Sequence, residues 1–158
     1  MDVKKIILEI ESSEEFKSIG PEHYLVHIFR MMDAHSPEEC QVGYYNKESD
    51  KIVIFDYVEG KISIMPPQDA FKEKNYISPL DLEKVNLSMD DALNIVQKII
   101  NDNYKGHLLS KIILILQRLP EYGQIGNITV VTNTFNVINI KINAENSEVI
   151  KHGMGILT

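Results

Sequence analysis

Hydrophobic positions along this 158-residue chain follow two periods, and each change of period marks an element. After Met89 the apolar residues Ala92, Leu93, Val96, Ile99, Ile100 and Tyr104 recur at intervals of three and four, separated by Asp90, Asp91, Asn94, Gln97 and Lys98. That spacing predicts an amphipathic helix whose apolar side must be covered. Ser88, three positions before Asp91, predicts its N-cap, and the carboxylates of Asp90 and Asp91 suit the positive end of the helix dipole. Beyond Lys105-Gly106, the residues Leu108, Leu109, Ile112, Ile113, Ile115, Leu116 and Leu119 predict a second helix, apolar on several sides and stopped by Pro120.

In the first half, Tyr24, Leu25, Ile28, Phe29 and Met32 predict a helix over 21–34, between Gly20-Pro21 and Ser36-Pro37. The alternation of Ile6, Leu8 and Ile10 predicts a strand over Val3 to Glu11, and Ser12 with Glu15 predicts a capped turn after it. Val42–Tyr44, Ile52–Phe55 and Ile62–Ile64 predict an antiparallel meander ended by Pro66-Pro67. Ser78-Pro79 with Asp81 predicts a short helical turn. Ile128–Thr132, Phe135–Ile142 and Glu148–Ile150 predict a second meander, with His152-Gly-Met-Gly155 as an exposed tail.

The predicted fold class is therefore α+β, with amphipathic helices packed on antiparallel β-meanders. Residues 1–67 form one α+β unit, 68–87 a connection and 88–158 a second unit, either separate or joined in one globular domain. The runs IVIFDYVEGKISI and VINIKINAENSEVI share a strand, turn, strand pattern. Two explanations stay open, a tandem repeat of helix plus meander and the ordinary likeness of two hairpins.

The helix opening MDDALNIVQKI, Met89 to Ile99, and the closing NVINIKINAENSEVI, Asn136 to Ile150, resemble the PepSY family, most strongly over residues 88–151. Members carry an alanine-containing amphipathic helix followed by strands that close around a D-x-x-x-G-x-x turn. Asn143 stands at the aspartate position and Ser147 at the glycine position, and the predicted helix over Leu108 to Leu119 is a further departure. Residues 40–65 would then be a more distant copy. The resemblance implies an interaction or inhibitory module, as in protease propeptides, and carries over no active residue.

The chain is 44% hydrophobic and 25% charged, with a net charge of −7 and a pI near 5.2, which disfavours nonspecific nucleic-acid binding. The opening apolar run, Ile6 to Leu8, is too short for a secretory signal peptide, and no stretch is long enough to span a membrane. A cytoplasmic location is the expectation. Cys40 is the only cysteine, so neither an intramolecular disulfide nor a thiolate metal cluster forms.

Candidate chemistry is sparse. His23 and His27 have the i, i+4 spacing of a helical metal pair, with His35 or Cys40 as a third ligand, yet the catalytic glutamate of H-E-x-x-H is missing. The expectation is no metal, no cofactor and no catalytic residue. Glu38-Glu39 beside Cys40 disfavours a thiolate and points to a buried structural cysteine. Turns and caps account for Asp50, Asp90 and Asp91, and Asp56 and Glu59 belong to no evident acid/base pair. Gly123-Gln-Ile-Gly126 lacks the lysine of a phosphate loop, and His107 reads as the start of a helix. The aromatic cluster Tyr44, Tyr45, Phe55 and Tyr57 suits a sheet face, while Lys47, Lys51 and Lys61 are balanced by Glu48, Asp50, Asp56 and Glu59. The expected function is a noncatalytic interaction or regulatory module that binds an unidentified protein or a second copy, with Val42–Tyr45 and Ile128–Val131 as outer strand edges. The alternative is a small cytoplasmic enzyme whose unrecognised cleft uses Cys40 or a histidine.

Overall fold

The computed structural model describes residues 2–33, 39–69 and 77–156. His35 lies outside them. The elements run α1 (Val3–Glu11), α2 (Glu14–Lys17), β1 (His23–Met32), β2 (Glu39–Asn46), β3 (Lys51–Val58), β4 (Lys61–Ile64), β5 (Gln68–Asp69), a 3-10 turn (Leu82–Lys84), α3 (Met89–Asn103), β6 (Leu109–Leu119), β7 (Gly123–Thr132), β8 (Asn136–Asn143) and β9 (Val149–Ile156). The α+β class holds. Among the described residues nine strands form a single antiparallel sheet in the order β4-β3-β2-β1-β6-β7-β8-β9, with β5 also paired to β3. Each half is thus a helix followed by a four-strand meander, and the halves join antiparallel at β1 and β6, where Ile28 lies opposite Leu116.

Three predicted elements change type. Val3 to Glu11 is a helix, because Val3, Ile6, Ile7 and Ile10 follow the 3.6 period more fully than Ile6, Leu8 and Ile10 follow the period of two. Asp2 caps it by accepting from the backbone N–H groups of Lys4 and Lys5 at 3.0 and 3.3 Å, while Leu8 points outward and is 69% exposed. The stretch predicted as a helix over 21–34 contains strand β1, in which Val26 and Ile28 are buried. The predicted helix over Leu108 to Leu119 is strand β6, so His107 precedes a strand rather than opening a helix. β1 is rich in aromatic and β-branched residues and β6 in isoleucine and leucine, and both sit in the middle of the sheet, where the helix side buries one set of apolar side chains and the open side half-buries the other. An interior strand of this kind shows apolar residues at every spacing, including the helical one.

Other expectations hold. Ser88 accepts from the Asp91 N–H at 3.0 Å and starts α3. Asp81 caps the 3-10 turn, and the turn after α1 forms one residue later than predicted, with Ser13 accepting from Phe16 N–H. His152 to Gly155 belongs to β9 rather than to a loose tail, although its residues are exposed.

Both long helices cover one face of the sheet. Ile6, Ile7 and Ile10 of α1 pack with Ile28, Val42, Tyr44, Val53, Phe55 and Leu116. Met89, Ala92, Val96, Ile99 and Ile100 of α3 pack with Leu114, Ile128, Val130, Ile138, Ile140 and Ile142, and Val3 touches both clusters. The connection before α3 lies on the same side, held by the buried amide of Gln124, which accepts from Asp81 N–H at 2.5 Å and donates to Asp81 C=O at 3.1 Å.

Candidate functional site

Side chains directly opposed in antiparallel strands share a face, so the register locates the surface that the helices leave open. Its middle carries Phe29 opposite Gln41 and Ile115, and Met31 opposite Ile113. Phe29, Ile113 and Ile115 are half-buried, and Met31 is exposed. Toward the C-terminal half the same face becomes a ladder of amides. Lys141 Nζ donates to Asn139 Oδ1 at 2.5 Å, Asn139 Nδ2 to Asn127 Oδ1 at 3.0 Å, and Asn127 Nδ2 to Gln117 Oε1 at 3.2 Å.

His27 stands opposite Gln117 on one side and Gly43 on the other. Its imidazole occupies the space that any larger residue at 43 would need, since a Cβ there would lie 2.2 Å from the ring's Cε1. Burial pushes its pKa down, which keeps the ring neutral at pH 7. The seating of His27 on Gly43 is not legible in the sequence, because the two residues meet only through the register of β1 and β2.

The other candidates disperse. His23 and His27 lie on a strand, not on a helix, and a bulge falls between Leu25 and His27, so the helical i, i+4 geometry is absent. His23 Nδ1 lies 3.4 Å from the Gly20 carbonyl. Cys40 is buried in the α1 core, and burial pushes its thiol up to about 12, so it is protonated at neutral pH. Among the described residues no group of three or more His, Cys, Asp and Glu is arranged to hold a metal.

The carboxylates serve local structure. Asp50, in the left-handed conformation at φ 56, accepts from the Tyr45 hydroxyl, and Glu59 occupies the β3–β4 turn at φ 49. Asp90 and Asp91 lie in the first turn of α3. Asp56 does acquire a neighbour: Glu39, diagonal to it across β2 and β3, shares a hydrogen bond with it, and that bond together with the like charge raises the Glu39 pKa. The buried Tyr44 hydroxyl has its own pKa raised, first by burial and then by the charge of Glu11. Gly123 to Gly126 forms the start of β7. One open hollow of about 190 Å³ lies between Met32 and Asp33 and the residues Leu109 to Ile112, smaller than the usual small-molecule pocket.

The predicted outer edges are interior. Val42–Tyr45 lies in β2, between β1 and β3, and Ile128–Val131 lies in β7, between β6 and β8. Each meander has one strand more than predicted, since β1 and β6 stand where helices are expected, and the extra strand covers what would have been an edge. The path of the sheet ends instead at β4 and β9. β4 has four residues and is followed by Pro66-Pro67 and the two-residue β5. β9 has eight residues, is paired among the described residues with β8 alone, and exposes Val149, Ile150 and Met154 by 41, 37 and 49%. Its side chains at 152 and 154 lie opposite Ile140 and Ile138, on the helix side of the sheet. There the Tyr104 hydroxyl at the end of α3 lies 2.7 Å from His152 Nδ1.

No protein-family model matches the chain, and no curated protein matches it. Among solved structures it is similar to a candidate lipoprotein of Clostridium difficile 630, at 12% identity and a TM-score of 0.59, over 89% of this chain and 88% of that one. That likeness is one of fold. A second match, the C-terminal domain of YpeB from Bacillus megaterium, has 11% identity and a TM-score of 0.28, and the chain spans 62% of its length. No helix is long and apolar enough to cross a membrane among the described residues.

Proposed function

We propose that this chain is a noncatalytic interaction module of PepSY-like construction that binds protein by strand addition at β9. The observation that carries the reading is the contrast between the ends of the sheet. An eight-residue edge strand without proline offers a row of outward N–H and C=O groups together with exposed apolar side chains, the combination that strand addition uses. The resemblance to PepSY modules supports the same reading. The turn after β8 is built as that family's pattern implies: Asn143 Oδ1 accepts from the N–H groups of Glu145 and Asn146, and Ser147 takes a φ of 64, the conformation that favours glycine. The protonated Cys40 and the carboxylates engaged in turns and caps speak for binding rather than reaction.

Site-specific photo-crosslinking in cells that make the protein tests this. A photoreactive residue at Met154 is expected to give discrete protein adducts, whereas one at Asp90, exposed on α3, gives none. Absence of adducts from position 154, or equal adducts from both positions, would reject β9 as the docking element.

A further inference from the structure

We infer that the strand added at β9 is β9 of a second copy, the two sheets joining antiparallel about a two-fold axis centred on His152. The inference rests on the strand-addition reading and names its partner. Three features of the molecule select a second copy.

The first is register. Opposed residues in an antiparallel pair share a face, so a two-fold register places residues of like parity opposite one another. Centring on Lys151 sets two ammonium groups face to face. Centring on Gly153 sets Met154 against His152. Centring on His152 sets Met154, on the helix side, against the copy's Ile150 twice, while Lys151 falls opposite Gly153. Of these three, the last sets Met154 against an exposed apolar residue of the copy and gives each lysine a neighbour without a side chain. It uses the regular run of β9 from Lys151 to Gly155, with Ile150 as the residue inserted at the irregularity between the pairs Lys141–Lys151 and Ile142–Val149.

The second is cover. α3 packs on β6, β7 and β8 but leaves Met154 of β9 exposed beside it. A two-fold partner places its own α3 and its own Met154 on the same side of the lengthened sheet, so both copies bury what each leaves open. The third is precedent within the chain. At the junction of β1 and β6 two helix-and-meander units are already joined antiparallel, with α1 and α3 on one face and Ile28 opposite Leu116. The proposed contact repeats that arrangement between molecules, in the isologous form that a symmetric dimer requires.

Sedimentation velocity over a range of concentrations, with the full chain, is expected to show a reversible monomer–dimer equilibrium. Met154→Lys, at an exposed position, should leave circular dichroism unchanged, and also the thermal midpoint read at a concentration where the chain is monomeric. It should weaken the dimer by roughly tenfold or more, since each substitution acts twice in a symmetric contact. Under mild oxidation His152→Cys should give a covalent dimer, and Gly153→Cys should not. A chain that stays monomeric at high micromolar concentration, a dimer indifferent to Met154→Lys, or cross-linking through position 153 in place of 152 would each overturn the inference. If the chain is monomeric while photo-crosslinks from position 154 capture a different protein, self-pairing fails and the interaction-module reading stands. If position 154 captures neither, both fail.

Discussion

The N-terminal half packs the nine residues of α1 against a core that includes Tyr44 and Phe55, with the Phe16 ring stacked edge-on to Tyr44 at 4.9 Å. The C-terminal half packs the fifteen residues of α3 against the isoleucines at 128, 138, 140 and 142. Both are a helix and a four-strand meander, yet they end differently. Large rings let the shorter helix and α2 fill the first half, and that half's edge is cut short by β4 and the prolines after it. The longer helix covers three strands of the second half with aliphatic side chains and leaves the fourth, β9, open. Two halves of like arrangement thus close one end of the sheet and leave the other available, and the difference is expressed in the last strand of each, β4 and β9.

The comparison breaks first if the halves unfold independently. Phe55→Ala, at a fully buried site, is expected to cost about 3–5 kcal/mol, and Ile140→Ala about 2–5 kcal/mol. Because β1 and β6 are paired over six residue pairs, both substitutions should shift one common transition in chemical denaturation. Two separate transitions would mean that the junction does not couple the halves.

A smaller effect sharpens the contrast on the open face. Gly43→Ala should destabilise by roughly 1–3 kcal/mol, because its methyl group enters the space of the His27 ring. In a His27→Ala background most of that cost should vanish, and a double-mutant cycle measures the coupling. Equal costs in the two backgrounds would show that Gly43 is needed for another reason.

Removing a helix cap probes the longer helix. Ser88→Ala should lower stability by about 1 kcal/mol through loss of its bond to the Asp91 N–H, read as a lower thermal midpoint. Asp2→Ala tests the corresponding cap on α1, and the expected loss falls in the same range of about 0.5–2 kcal/mol.

The smallest effect concerns pH. The folded chain holds the His27 pKa below the ordinary histidine value near 6.5, so on acidification the unfolded chain takes up a proton that the folded chain resists. The stability owed to His27 is therefore fully present above that ordinary value and declines as pH falls below it toward the depressed folded value. Urea denaturation between neutral and mildly acidic pH should show a shallower decline for His27→Asn than for the native chain. Equal slopes would mean that the ring is not desolvated in solution.

Several features were readable in the chain because they are local. α3 and its cap need only a 3.6 period and a serine at the right place, and the strands around Tyr44 and Phe55, and those over 128–132 and 137–142, need only alternation bounded by turns. The α+β class follows from the sum of these elements. What the tertiary structure decided is non-local. His23–Met32 and Leu109–Leu119 are strands because they lie at the centre of the sheet, where the helices cover one face and apolar side chains are half-buried on the other, and no window of sequence reveals that a segment has a strand on each side. The same holds for Gly43 under His27 and Gln124 bonded to Asp81, which depend on registers and on chain segments far apart in sequence. The free edge is a property of this kind too. A strand is an edge only by its place in the order of the sheet, and reading β1 and β6 as helices displaces the expected edges from β9 to strands that the folded molecule buries between neighbours.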